Sequence, residues 1–252
     1  MKDSNALVKD NRQVAQDTYL MTLMCELSPF TPGQFLMLRL TSTCEPFLRR
    51  PLAILSYNEG AVEILYKVRG EGTSLLAEKK KGEELSVLGP LGKGFSDPRP
   101  EEEAVYIAGG TGLPPILAMA ERMKRGRLII GTYTKDDIPL WQRMQNIGGV
   151  EITATTEDGS LGIRGVATQA LDGLLKTIQQ PCVIYACGPT GMLKAAASLA
   201  KDLGARCEVS IEERMACGFG VCSACAVRTT TGNQRVCTQG PVFDASSIEW
   251  RQ

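Results

Sequence analysis

Four of the nine cysteines cluster toward the C-terminal end: Cys217, Cys222 and Cys225 are separated by four and then two residues, and Cys237 follows after eleven more. Thiolates in this C-x4-C-x2-C…C order match the plant-type spacing for a [2Fe–2S] cluster, in which each iron takes two protein thiolates and two bridging sulfides. Gly218 and Gly220 suit such a loop, because a backbone without Cβ can wrap closely and aim N–H groups at the sulfurs. A four-cysteine zinc site has the same ligand count and stays open, although it more often uses two C-x2-C pairs and only Cys222/Cys225 is present. Cys25, Cys44, Cys182, Cys187 and Cys207 fall in or beside apolar, strand-like runs and read as small buried hydrophobes.

The chain contains no histidine, which excludes His-dependent triads, His metal sites and imidazole acid–base chemistry. Its 28 Lys and Arg balance 28 Asp and Glu, and 43% hydrophobic with 22% charged residues is ordinary for a folded domain. Disorder and a nucleic-acid-binding basic surface are therefore not expected. The odd cysteine count and the absence of an apolar leader after MKDSNALVKD point to reduced thiols in a cytoplasmic protein. No run approaches the roughly 18 apolar residues of a membrane span, so no membrane association is expected.

The elements that must position these thiols fall into three parts. In residues 1–98, short apolar runs at 35–40, 52–55, 62–68 and 85–88 alternate with Gly and Pro, which reads as a small β barrel. Thr73 is expected to cap a helix over 74–81 that ends at Gly82, with Lys79, Lys80 and Lys81 near its negative end. Gly70 and Gly72 before it leave amides free for an anion, or the helix simply closes the barrel. Residues 97–103 read as an acidic, Pro-containing linker.

Across 99–211 buried strands at 105–108, 128–133, 152–155, 183–186 and 207–211 alternate with helical segments such as 116–124 and 192–203. This predicts a doubly wound, parallel α/β sheet with ligands at the carboxyl ends of its strands. Gly109-Gly110-Thr111-Gly112-Leu113-Pro114-Pro115 and Cys187-Gly188-Pro189-Thr190-Gly191 are strand-to-helix glycine turns. Each alone is either a ligand loop or a tight turn, and two on one sheet indicate one nucleotide cleft. Thr134-Lys135-Asp136-Asp137 places two acids where a 2′-phosphate would be repelled, which favours NAD over NADP. Residues 212–252, rich in Cys and Gly, lack the apolar periodicity for a core of their own, and a metal centre is the usual substitute.

Together Arg49-Arg50-Pro51-Leu52-Ala53, Gly89-Pro90-Leu91-Gly92-Lys93-Gly94-Phe95, the 109–115 turn, Glu157-Asp158-Gly159-Ser160, Cys187-Gly188-Pro189 and Glu213-Arg214-Met215-Ala216-Cys217 resemble the ferredoxin-reductase superfamily. More narrowly, they resemble the electron-transfer subunits of type B dihydroorotate dehydrogenases, from Pro32-Gly33-Gln34-Phe35 to Gly240-Pro241-Val242-Phe243. The resemblance implies FAD on the barrel, NAD at the α/β sheet and a [2Fe–2S] cluster on Cys217, Cys222, Cys225 and Cys237. It implies that Arg50, Pro51, Leu52, Ala53, Leu65, Tyr66, Lys67, Gly72 and Thr73 meet the flavin and its phosphates. Gly109, Gly110, Thr111, Gly112, Cys187, Gly188 and Pro189 would meet the nucleotide. Ala53 departs from the family's usual Ser or Thr, so a hydroxyl beside the reactive flavin nitrogen is missing.

The implied chemistry needs no protein acid or base, since flavin converts between one-electron and hydride transfer. The implied partner is an FMN-containing, dihydroorotate-oxidising catalytic subunit of pyrimidine biosynthesis, in a heterotetramer of two copies of each subunit. The alternatives are the same module serving a hydrogenase or a ferredoxin–NAD(P) transhydrogenase, and a redox-inert zinc-bearing scaffold.

Overall fold

The computed structural model describes residues 2–41 and 45–250, so Cys44 lies outside the described residues. A closed antiparallel barrel forms from β1 (Lys2–Ala15), β2 (Thr18–Met24), β3 (Phe35–Arg39), β4 (Arg50–Asn58), β5 (Ala61–Lys67) and β6 (Glu84–Leu91), in the order β1-β2-β5-β4-β3-β6. Strand alternation sends Met21, Leu23, Leu36, Leu38, Ile54, Ile64 and Val87 into its interior, each fully buried. β1 carries too few large apolar residues to stand out in the sequence; pairing with β2 and β6 makes it a strand, while the apolar β2 pairs with β1 and β5.

The helix α1 (Glu71–Ala77) starts three residues before the expected 74–81 and stops at Glu78. Thr73 caps it from inside the first turn: its hydroxyl accepts from the Arg69 and Gly70 amides at 2.8 and 3.2 Å. Lys79 turns away to pair with Glu83, and Gly82 has φ +90° where the chain reverses into β6.

The second layer contains β7 (Glu103–Gly109), α2 (Leu113–Met123), β8 (Gly126–Thr132), α3 (Trp141–Gln145), β9 (Val150–Thr156), β10 (Ile163–Arg164), α4 (Ala167–Leu175), β11 (Cys182–Cys187), α5 (Thr190–Leu203) and β12 (Arg206–Ser210). The sheet order is β10-β9-β8-β7-β11-β12, all parallel. Chain order reverses between β7 and β11, so the crevice at their carboxyl ends is the switch point where such sheets take ligands. Both expected glycine turns sit there.

The segment before β7 is not a free linker. Glu102 is buried and receives Arg206 at 3.1 and 2.9 Å, while Glu208 holds the Ser96 amide at 2.9 Å. The C-terminal segment forms a hairpin of β13 (Ala226–Thr229) and β14 (Gly232–Arg235), and then β15 (Val242–Asp244). β15 joins the large sheet antiparallel to β12, and Phe243, Ala245 and Ile248 enter the core beside Val209 and Ala196. A segment too small for its own core thus shares that of its neighbour.

Candidate functional site

The cysteine loop leaves the end of β12 and runs back against the barrel. Gly218 has φ +80°, and a Cβ there would lie 2.6 Å from Met37 Cγ on β3 and 3.4 Å from Leu91 on β6, so only glycine permits the approach. Within the loop Cys222 Sγ stands 3.4 Å from Cys217 Sγ. Cys225 and Cys237 are buried and hydrogen-bond each other as a second pair. Among the described residues no three Cys, Asp or Glu side chains surround one point as a single-metal site requires. The thiols stand two by two.

Backbone amides converge on these sulfurs. Desolvation acts upward on Cys217, but the N–H groups of Cys222, Phe219 and Val221, with the Cys222 thiol, bring it down to about 6. Burial, reinforced by Cys225, pushes Cys237 up to about 12, against the Gly220 amide. Amides that stabilise a thiolate are the groups that tune a thiolate-held cluster. The other described cysteines, Cys25, Cys182, Cys187 and Cys207, are buried and free.

Between the barrel and the large sheet lies a cavity of about 330 Å³. Pro51, Leu52, Ala53, Leu65, Tyr66, Lys67 and Thr73 line its barrel side, and Thr111, Pro114, Pro115 and Cys187 face them from the sheet. Arg50 and Gly72 are not among its lining residues, although each directly precedes one that is; the Arg50 guanidinium fills the space that a Cβ on Gly72 would need. The Tyr66 hydroxyl donates to Asn11 Oδ1 at 2.9 Å, while Asn11 Nδ2 donates to the carbonyls of Leu76, Ala77 and Lys79 at 3.0–3.2 Å. Asn11 thereby ties the end of α1 to the cavity wall.

The two glycine turns meet. A Cβ on Gly112 would collide with the Cys187 carbonyl, and one on Gly109 would lie 2.8 Å from Pro189 Cδ. Gly112 packs the turns together and lines none of the cavities described here; Gly109, Gly110 and Pro189 line a cavity of about 450 Å³ toward β8 and β9. The same residues with Thr111 and Gly188 line another of about 410 Å³ toward the C-terminal segment. Asp137 does not reach the 450 Å³ cavity: it accepts from the Thr134 amide at 3.2 Å and pairs with Lys67 at 3.4 Å.

Several lining residues are not among the site residues expected from the sequence. Ser210, Ile211, Glu212 and Met215 follow β12 into the 330 Å³ cavity, and Met215 precedes Cys217 by two positions. The Glu213–Cys217 motif signals Met215, and the carboxyl end of the expected strand at 207–211 signals Ser210 and Ile211. Burial pushes the Glu212 carboxyl upward against the pull of Arg69. Burial, aided by Glu212, also raises the Cys187 thiol and keeps it protonated at neutral pH.

Residues 212–249 match the family described as the iron-sulfur cluster binding domain of dihydroorotate dehydrogenase B. Over 247 residues the chain is 36% identical to the dihydroorotate dehydrogenase B (NAD(+)) electron transfer subunit of Caldanaerobacter subterraneus subsp. tengcongensis, covering 96% of this chain and 97% of that one. It is 37% identical over 264 residues to the subunit of the same description from Fusobacterium nucleatum, at 99% coverage of both. The chain belongs to the family of dihydroorotate dehydrogenase B electron-transfer subunits. As such a subunit it is an oxidoreductase component, with an iron–sulfur cluster-binding domain on a ferredoxin-reductase-like fold. The structure of an NADH-dependent reduced ferredoxin–NADP oxidoreductase superposes with a TM-score of 0.87 and 28% identity, over 97% of this chain and 90% of that one. The ferredoxin reductase of carbazole 1,9a-dioxygenase, at TM-score 0.71 and 24% identity over 81% of this chain and 66% of that one, shares the fold. Among the described residues of this electron-transfer subunit, no helix is long and apolar enough to cross a membrane.

Proposed function

We propose that the chain delivers electrons from an FMN-containing, dihydroorotate-oxidising subunit to NAD, through a [2Fe–2S] cluster and FAD, in a cytoplasmic heterotetramer of two copies of each subunit. One relationship carries this reading: Met215 lines the 330 Å³ cavity while Gly218, three residues on, packs on Met37 of β3, the strand whose Phe35 also lines that cavity. That shared wall supports reading the thiol loop and the cavity as parts of one site.

The residues present fit the three groups. Cys217 with Cys222 and Cys225 with Cys237 would each hold one iron, which is what a two-iron cluster asks of four thiolates. Pro51, Leu52 and Leu65 opposite Pro114 and Pro115 form an apolar slot suited to a flat ring. Arg50, Lys67 and Thr73 supply cations and a hydroxyl for phosphate oxygens. Gly109, Gly110, Thr111, Gly188 and Pro189 offer backbone that a dinucleotide can approach closely, and Gly112 lets their two turns meet. FAD, when bound, supplies the exchange between one-electron and hydride transfer. Cys187 and Ala53 present no ionised group to it, so the chain's part is to bind, orient and exclude water.

The test is the visible spectrum of the purified protein, oxidised and dithionite-reduced, with iron and acid-labile sulfide content. Flavin bands with iron and sulfide in equal amounts are expected; flavin without iron overturns the cluster assignment. A second reading, the same module serving a ferredoxin-linked partner, draws on the 0.87 superposition. Co-purification with a dihydroorotate-oxidising subunit decides against it.

A further inference from the structure

We propose that Glu157 selects a nicotinamide dinucleotide lacking a 2′-phosphate, and that it does so from the end of β9 rather than through Asp136 and Asp137. The inference rests on the reading above, in which the nucleotide lies across the two glycine turns.

The 450 Å³ cavity opens at the carboxyl ends of β7, β8 and β9, between Gly110, Pro189 and the start of α4. Of all the residues lining it, Glu157 alone is charged. Its carboxylate has no hydrogen-bond or ion-pair partner among the described residues, and its side chain is exposed to the cavity. The backbone holds it there: the Glu157 amide donates to the Thr132 carbonyl at 3.2 Å, and the next amide, of Asp158, to Tyr133 at 3.2 Å.

Of the neighbouring acids, Asp136 does not line the cavity, and the other two are occupied. Asp137 is taken by Thr134 and Lys67, and Asp158 accepts from the Ser160 amide and hydroxyl at 2.9 and 2.7 Å. The nearest cation along the chain, Arg164, lays its aliphatic stem over Gly159 and does not line the cavity. Lys135, two positions past Tyr133, does not line it either, so a 2′-phosphate would meet no guanidinium or ammonium among the lining residues and would face the unpaired Glu157 carboxylate.

An unphosphorylated ribose suits the same carboxylate, which can accept hydrogen bonds from its hydroxyls. The choice is not trivial, because the first turn of α4 opens on this cavity through Val166, Ala167 and Thr168. Helix-start amides attract anions, and the Gln169 side chain engages only that of Val166, at 3.3 Å. Glu157 is the group that opposes a phosphate there.

The experiment measures binding of ADP-ribose and 2′-phospho-ADP-ribose by calorimetry, since neither exchanges electrons with the protein. Wild type is expected to prefer ADP-ribose about tenfold or more; Glu157→Gln should narrow the ratio about fivefold, and Glu157→Arg should narrow it further or reverse it. A ratio unchanged in both variants overturns the role of Glu157. Gly110→Asn separates the two levels of argument: φ is +51° and nothing lies within 4 Å of its Cβ, so the variant keeps the turn while filling the cleft. If Gly110→Asn weakens both ligands and the Glu157 variants leave the ratio alone, only the Glu157 assignment fails. If Gly110→Asn affects neither ligand, the cleft reading fails and this inference with it.

Discussion

Arg143 on α3 donates from Nη1 to Glu63 Oε2 on β5 at 2.7 Å, which joins the large sheet's helical layer to the barrel. The same guanidinium reaches Glu121 on α2 at 2.6 and 2.9 Å, and Ser56 donates to Glu63 at 2.6 Å. The cavity between the two layers keeps its shape only while they keep their mutual orientation. Arg143 is one of the few charged groups that span them.

Arg143→Met is expected to cost about 1–2 kcal/mol, because two half-buried carboxylates lose their partner while the aliphatic volume is kept. Burial acts upward on Glu63, but its hydrogen bonds from Ser56 and Arg143 outweigh this and hold it below the ordinary 4.5. A carboxyl lowered on folding stabilises above its unfolded pKa and loses that contribution as pH falls through the folded one. Thermal melts should therefore show a gap between wild type and variant at pH 7 that closes below about pH 4.5. A gap independent of pH would place the effect in packing alone.

Gly72→Ala should fold normally and bind FAD about tenfold more weakly. The three atoms nearest the added Cβ all belong to the guanidinium end of Arg50, a flexible group that can swing aside. Arg50→Ala should weaken FAD to a similar degree, and the double variant little further, because both changes remove the same contact. Flavin fluorescence titration reads all three, and full additivity would separate the two residues.

Cys222→Ser should lose the cluster spectrum and retain flavin and fold. Cys222 is exposed, so its replacement leaves no cavity. Cys25→Ser is the control in the opposite direction: the thiol is buried in the barrel, so stability falls while iron content per chain is unchanged. Iron and labile sulfide analysis of both proteins checks the pair.

Asn11→Ala removes the donor to three carbonyls at the end of α1 and the acceptor of the Tyr66 hydroxyl, for an expected loss of about 1–3 kcal/mol. FAD affinity should fall as well, since α1 and Tyr66 lie on the same cavity wall. Denaturant titration with and without FAD separates the two effects; a stability loss with unchanged FAD binding would confine Asn11 to the barrel.

The cysteine spacing, the two glycine turns and the alternation of buried strands with helices were legible along the chain, because each is a local pattern with a local physical cause. β3 to β9, β11 and β12 announced themselves as apolar runs for the same reason. β1 did not, because most of its residues are polar; it becomes a strand by pairing with β2 across the turn at Asp17 and with β6 far along the chain. The short helix starting at Glu71 was displaced because Thr73 caps backward to Gly70 instead of standing outside.

What only the tertiary structure decided is which residues meet. Asp137 and Glu157 are both acids near strand ends in the sequence. Lys67, seventy positions before Asp137, pairs with that carboxylate, while the β9 turn leaves Glu157 facing the cavity. Gly218 and Met37, likewise remote in sequence, bring the thiol loop onto the barrel. Spacing fixes which groups can do chemistry, since ligand type is a property of the residue itself. Pairing across long chain separations fixes which of them share a site, since burial and charge are properties of the neighbours.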